Sequence, residues 1–395
     1  MELVLCCKLC DLGDGSMEKL KQFIMICLYY MFRVCPIKQN KIVICNYLGK
    51  GYGDNAKYIV NELLKTDKQY DIVWLLRNMD DQLPDEVRAV KYNSIKSVYE
   101  MVTAKVWIDN RRKPVFVRKR KNQVYIMTWH GGIGLKKVEK AAIDALPNVY
   151  IRAAINDSKM ADLFVSNSKW TTKVYRDYFW YDGPILEYGL PREDILFQDN
   201  LNLKDRVYSQ YGIQSDAKVV LYAPTFRKSK SVSDLDLYSI NWAELLKAYE
   251  GRFGGNWIGM IRLHPNIANQ ANLLVLPKNV INVTDYPDMQ ELLAVSDSLI
   301  TDYSSCVFDF GATKKPAFIY AVDLEEYTKD RDFFFSFDEI PFNMAQDENG
   351  LRKNISNYIE KDYLNMVTSF YERCGFFKGG ESARKIAEYI EKSTH

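Results

Sequence analysis

From residue 41 onward, short runs of β-branched and aromatic residues alternate with stretches whose apolar positions recur every three or four residues. KIVICNYL (41–48) reads as a strand, GKGYGD as a turn, and NAKYIVNELLK (55–65) as a helix with Tyr58, Ile59, Leu63 and Leu64 on one face. YDIVWLL (70–76), KVWIDN (105–110), VYIMTW (124–129) and DLFVSNS (162–168) are further strands, and SVYEMVTA (97–104) and KWTTKVYRDYFW (169–180) are helices. The pattern loosens over 183–205. It resumes as strand KVVLYAPTF (218–226), helix NWAELLKAYEG (241–251), strand NWIGMIRLHP (256–265), helix MQELLAVSD (289–297), strand and turn SLITDYSS (298–305), helix VFDFGATKK (307–315) and strand PAFIY (316–320). Strictly alternating strands and helices build parallel sheets covered on both faces. The expected fold is therefore α/β, with two doubly wound Rossmann-like lobes facing a central cleft. An N-terminal segment (1–40), a first lobe (41–200), a second lobe (201–355) and C-terminal helices (356–395) divide the chain.

Before residue 41, MEKLKQFIMICLYYMFR (17–33) holds an unbroken apolar run from Phe23 to Phe32, well short of the ~20 residues that a membrane span needs. With Lys19, Lys21 and Arg33 flanking it, the segment fits a helix lying in a membrane interface or one packed on a lobe. Nothing at the N-terminus reads as a signal peptide. Six of the eight cysteines precede residue 46 in no framework spacing, which fits a reducing compartment, and Cys6, Cys7 and Cys10 lack a partner cluster for a metal site. Net charge is only +2, but RRKPVFVRKRK (111–121) carries seven basic residues and is expected to form a positive surface or a solvated loop. No nucleic-acid-binding module is present, and a nucleic-acid partner is not expected.

Candidate chemistry gathers at strand ends, where open α/β sheets bind ligands. His130 ends TWHGG and His264 ends RLHP; each is a functional group or a structural histidine. TDYSS (301–305) leaves a strand and opens a helix, so Thr301, Asp302, Ser304 and Ser305, with Asp309 a turn later, frame a place for phosphate or serve as caps. Arg227 stands at the mouth of YAPTFR, where a guanidinium suits bidentate phosphate binding, and Arg262 shares a strand face with His264 as a second phosphate contact or a partner for an acid. The turn with Gly49, Gly51 and Gly53 is either a phosphate cradle or a tight turn before a helix capped by Asp54 or Asn55, since it matches neither GxGxxG nor GxxxxGK[ST].

TWHGG with LKK (135–137), YAPTFR, RLHP and TDYSS with FDFG, in this order, resemble the CDP-glycerol glycerophosphotransferase family, the teichoic-acid primases and polymerases of GT-B fold. The resemblance runs through about two-thirds of the chain. It implies CDP-glycerol or CDP-ribitol as donor, a lipid-linked saccharide or polyol-phosphate polymer as acceptor, and work at the cytoplasmic membrane face as a peripheral protein. By that analogy His130 is the general base, and His264, the second catalytic candidate, grips the donor diphosphate with Arg227, Ser304 and Ser305; Arg262, Thr301, Asp302, Asp309, Gly131 and Lys136 are the further substrate-binding candidates. No cofactor or bound metal is expected. The Gly-Gly-Ile-Gly after His130 departs from the family polymerases, which have threonine and proline there, and leaves the acceptor open. A sugar transferase or epimerase using a UDP-sugar is the alternative on the same fold.

Overall fold

The structure is a computed structural model that describes residues 15–226, 240–264, 267, 275–330 and 332–394. The chain forms two compact units. The first holds the chain as far as His130, then 138–194, and the stretch from Phe377; the second holds 131–137 and 195–376.

The first unit opens with α1 (Gly15–Met31) and continues through β1 (Lys38–Cys45), α2 (Asp54–Leu63), β2 (Asp71–Leu76), β3 (Val87–Lys91), α3 (Ile95–Thr103), β4 (Ala104–Asp109), β5 (Val124–Met127), α4 (Asn148–Met160), β6 (Leu163–Ser166), α5 (Lys169–Tyr178) and β7 (Ile185–Glu187). Its sheet runs β3-β2-β1-β4-β5-β6-β7, and every neighbouring pair is parallel. Parallel strands are covered on both faces, so Val43, Ile44, Ile72 to Leu76 and Val106 to Ile108 are all buried.

The second unit contains α6 (Leu201–Tyr211), β8 (Lys218–Ala223), α7 (Trp242–Phe253), β9 (Trp257–Ile261), β10 (Val280–Asn282), α8 (Met289–Val295), β11 (Ser298–Thr301), α9 (Cys306–Gly311), β12 (Ala317–Tyr320), α10 (Leu324–Asp330), β13 (Asn343–Ala345), α11 (Glu348–Ser356) and α12 (Glu360–Cys374). Its sheet, β10-β9-β8-β11-β12-β13, is also parallel throughout. In both sheets the first strand lies between the second and the fourth, so strand order reverses at β1/β4 and at β8/β11. These are the switch points at which doubly wound sheets bind ligands.

The chain does not divide as a simple succession of segments. The unit boundary falls at Asp194, inside the loosened 183–205 stretch, but α13 (Ser382–Ser393) returns to the first unit, where Ile386 and Ile390 join the core of Ile42, Ile59 and Leu63. Asp194 fastens that return: its carboxylate accepts from the amides of Gly380, Ser382 and Ala383 at 2.8, 3.0 and 2.7 Å. Nor is the described part of the 1–40 segment, from Gly15, a separate appendage. Tyr29 of α1 is buried and donates to the Met101 thioether of α3 at 3.3 Å, while Phe32 meets Tyr99 edge-on. The opposite side of α1 exposes Leu20, Phe23, Ile24, Tyr30 and Met31. Among the described residues no helix is long and apolar enough to cross a membrane.

Candidate functional site

At the carboxyl end of β5 the chain turns sharply, with Trp129 in the left-handed region at φ 55°, and presents His130 three residues past Met127. The Nδ1–H of His130 donates to the Asn110 carbonyl at 2.8 Å, which leaves Nε2 as the lone-pair nitrogen. Trp129 covers one side of the imidazole with centroids 4.3 Å apart, and Tyr47 stands edge-on at 5.8 Å. Burial first, and the Arg111 cation second, lower the His130 pKa to about 4. The side chain is thus neutral throughout the physiological range, a stronger shift than an ordinary histidine value suggests.

A polar network locks this corner across the first switch point. Asn110, just past β4, donates to Asn46 Oδ1 at 2.7 Å and to Asp54 Oδ2 at 2.6 Å, and its own Oδ1 accepts from the Tyr47 amide at 2.8 Å. Arg192 donates to Asp54 Oδ1 at 3.1 Å and to the His130 carbonyl at 2.9 Å, and Asn55 donates to the Trp129 carbonyl at 3.0 Å. The α2 N-cap is Gly53 and no side chain caps it, so Asp54 and Asn55 face the network instead of closing the helix. The glycine-rich stretch resolves as a tight turn. The amides of Gly49 and Lys50 both bond to the Asn46 carbonyl, and Gly49, at φ +89°, has the Tyr92 Cβ only 2.9 Å from where a side chain would begin.

The basic run is not the free positive surface that its composition predicts. Arg112 is buried against Glu139 at 2.9 Å and Asp157 at 3.3 Å, and Lys113 is buried against Asp109 at 2.6 Å. Lys119 pairs with Asp162, while Arg118 and Arg120 donate to main-chain carbonyls. Apart from Asp109, four residues before Lys113, the acids that take up these charges lie far off in sequence, where no local pattern reveals them. Arg111 remains beside His130, and Lys121 is exposed.

In the second unit, Asp302 spans the second switch point. Its carboxylate accepts the Thr225 amide at 3.1 and 3.0 Å, the Thr225 hydroxyl at 3.0 Å and the Tyr303 amide at 2.6 Å. Thr301 is fully buried and donates to the Ala223 carbonyl at 2.6 Å, and buried Asp309 accepts from Gln290 at 2.9 Å. These three side chains shape the loop from within. Ser304 and Ser305 are half-buried at its surface; Ser304 Oγ accepts the Cys306 amide at 3.3 Å, and Ser305 is the N-cap of α9 with its hydroxyl unused for capping. At six residues α9 has little dipole to offer, so the serine hydroxyls matter more than the helix.

The segment after His130 belongs to this unit. Leu135 O accepts the Phe334 amide at 2.6 Å, Lys136 pairs with Phe333 in a short bridge, and a side-chain carbon at Gly131 would sit 3.9 Å from Ser305 Oγ. The Lys136 ammonium lies 5.1 Å from the Tyr327 ring centroid, which stacks on Tyr303.

His264 ends the segment after β9, three residues past Ile261, with Phe226 tilted over it at 6.1 Å. Arg262 is half-buried, its Nη1 is buried without a hydrogen-bond partner, and desolvation lowers its pKa although Asp288 is near. A guanidinium nitrogen left in that state is a place for an anion. Arg227 lies outside the described residues, as do Cys6, Cys7 and Cys10. Among the described residues no group of three or more His, Cys, Asp or Glu side chains is placed to hold a metal ion.

A family model described as CDP-Glycerol:Poly(glycerophosphate) glycerophosphotransferase matches residues 27–392. A teichoic acid poly(glycerol phosphate) polymerase of Staphylococcus epidermidis is 30% identical over 368 residues, covering 90% of this chain and 51% of its own. A protein of the same description from Bacillus spizizenii is 28% identical, covering 92% of this chain and 95% of its own. This chain thus spans about half the length of the first and nearly all of the second. The solved structure of the wall teichoic acid polymerase TagF superposes with a TM-score of 0.82 at 29% identity, over 96% of this chain and 97% of that one. The same polymerase has been solved as a variant soaked with CDPG, at a TM-score of 0.80.

Proposed function

Because the chain belongs to the CDP-glycerol:poly(glycerophosphate) glycerophosphotransferase family, a family of transferases with the doubly wound GT-B-type architecture seen here, we propose that it transfers glycerol phosphate from CDP-glycerol to a hydroxyl of a polyol-phosphate acceptor. The product is a phosphodiester of a teichoic-acid or capsule-type polymer, and the leaving group is CMP. Ribitol phosphate from CDP-ribitol is the variant of the same chemistry.

The observation that carries this reading is the state of His130: neutral, with Nδ1–H spent on Asn110 and Nε2 free to take a proton. The acceptor O–H gives its proton to Nε2, the oxygen forms a bond to the β-phosphorus, and the bond from that phosphorus to the oxygen bridging the two phosphates breaks, its electron pair leaving with CMP. General-base help of this kind contributes about 10²–10⁴-fold. The remainder comes from positioning and from donors on the phosphoryl oxygens. Arg262, whose Nη1 lacks a partner, is assigned to the donor diphosphate with His264, Arg227, Ser304, Ser305 and Lys136. Gly131 brings the main chain beside Ser305, and Thr301, Asp302 and Asp309 hold the loop.

The acceptor is assigned as lipid-linked and the protein as peripheral at the cytoplasmic membrane face. The apolar side of α1 supports this, since Leu20, Phe23, Ile24, Tyr30 and Met31 together are exposed on one helix.

Calorimetric titration with CDP-glycerol, CDP-ribitol and UDP-GlcNAc, alongside CMP release, tests the reading. His130→Ala is expected to bind CDP-glycerol and lose transfer, and Arg262→Ala to weaken binding. Full turnover by His130→Ala, or binding of UDP-GlcNAc in preference to either CDP-polyol, overturns it.

A further inference from the structure

We propose that Asp54 is a positioning residue of the transfer reaction, holding the His130 imidazole through separate partners and thereby fixing which ring nitrogen is free. The inference rests on the reading of His130 as the base and adds the residue that keeps it one.

The Asp54 carboxylate divides between two side chains. Oδ2 accepts from Asn110 Nδ2 at 2.6 Å and Oδ1 from Arg192 Nη1 at 3.1 Å. Each partner then grips His130 at a different atom. The Asn110 carbonyl takes the Nδ1–H at 2.8 Å, and the same Arg192 nitrogen donates to the His130 carbonyl at 2.9 Å. The Tyr47 phenol also hydrogen-bonds Asp54, and its ring stands edge-on to the imidazole. One carboxylate thus reaches the ring, the main chain and a wall of the site. The side chains of Asp54 and Arg192 are only 5% and 6% exposed, so the pair is poorly screened by water.

The backbone is a second, independent sign. Asp54 (φ 54°), Tyr47 (φ 42°), Leu48 (φ 58°) and Trp129 (φ 55°) all adopt the left-handed region. For residues other than glycine that conformation costs roughly 1–2 kcal/mol each. It persists where the surroundings over-determine it, and it concentrates at functional sites. Glycine would make the turn without that cost. The chain places glycine at 49, 51 and 53 but aspartate at 54, the position whose side chain enters the network.

Loss of this carboxylate removes one of the three hydrogen bonds that fix the Asn110 side chain and takes the anion away from Arg192 beside the imidazole. The two neutral imidazole tautomers then compete, and the Nε2–H form cannot accept a proton from the substrate. The charged and titratable groups facing His130 are Arg111, Asp54, Arg192 and Tyr47, so a carboxylate-to-amide change also lowers its basicity.

The test uses the full chain with CDP-glycerol and a short glycerol-phosphate oligomer on a soluble alkyl carrier. Asp54→Asn is expected to lower kcat about 10–100-fold, the scale of a misplaced catalytic group, with the CDP-glycerol Kd within about threefold of the parent. Imidazole ¹⁵N spectra, with His130 assigned by its loss in His130→Gln, are expected to move from the Nδ1–H tautomer to a mixture. In His130→Ala, adding Asp54→Asn is expected to slow turnover no further. Arg192→Lys keeps the cation with a single nitrogen and carries the same expectation, so it decides the matter if Asp54→Asn does not fold. Should His130→Ala be inactive while folded Asp54→Asn and Arg192→Lys keep parental kcat and the Nδ1–H tautomer, the inference is overturned and the base stands. Full turnover by His130→Ala instead removes the base itself.

Discussion

The carboxylate of Asp302 accepts both the amide and the hydroxyl of Thr225, joining the ends of β11 and β8 where the second sheet reverses its strand order. Asn110 and Asn46 make the equivalent tie between β4 and β1 in the first. Each ligand-facing edge is therefore held by a buried polar group and not by packing alone. Asp302→Ala strands the donors of Thr225 and Tyr303 and is expected to destabilise the chain by about 1–3 kcal/mol per stranded group. Urea denaturation gives the number, and Asp302→Asn, which keeps the shape and one acceptor, is expected to lose less.

Transfer should depend on pH through His130 on its acid side. With the neutral imidazole as the base proposed for this reaction and its pKa lowered to about 4, kcat/KM is expected to stay level from neutrality to about pH 5 and to fall below that with a single proton. An acid limb centred near 6.5 would show that the burial of His130 is relieved in solution.

The same shift has a stability consequence. An unfolded histidine takes up a proton near pH 6.5, whereas the folded one resists until about pH 4. The unfolded state therefore binds more protons in that window, and folding stability declines as pH falls through it. His130→Gln is expected to flatten this part of the stability profile, as read from urea midpoints at pH 7, 5.5 and 4.5.

Arg112→Ala leaves Glu139 and Asp157 buried without their cation, and a loss of about 3–5 kcal/mol is expected. Lys121→Ala, at an exposed position of the same run, is expected to change stability by no more than about 0.5 kcal/mol. Thermal melts of the two variants distinguish a structural strap from a binding surface.

Phe23→Asp combined with Ile24→Asp places charge on the apolar side of α1 without touching buried Met25 or Tyr29. Co-sedimentation with anionic liposomes is expected to drop several-fold, while turnover with a soluble acceptor stays unchanged. Equal sedimentation of parent and variant would remove α1 from the membrane reading.

The sheet cores were legible because fully buried parallel strands are continuous apolar runs, as in DIVWLL and KVVLYA. The edges were not. VRAVK of β3 alternates buried and exposed residues with charge between, and β7, β10 and β13 are three residues each. Edge strands are short and polar by necessity, so their apolar signal is weak. The motif histidines and serines stand out because they end apolar runs; Asn110 ends one too, in KVWIDN, but Asp54 and Arg192 come from distant segments and nothing in the sequence joins the three. The one available cue was an aspartate directly after a glycine-rich turn, which read as a helix cap. The basic run misled for the same reason: its partners Glu139, Asp157 and Asp162 lie 27, 45 and 43 residues away.

The return of α13 sets an order of events during synthesis. Every strand of the second sheet leaves the ribosome before the helix that covers Ile42, Ile59 and Leu63 exists, so the earlier-made half waits with part of its oily interior open while the later-made half folds. Loss of α13 therefore harms the half translated first, and a premature stop codon near residue 377 would leave a chain whose two halves survive unequally.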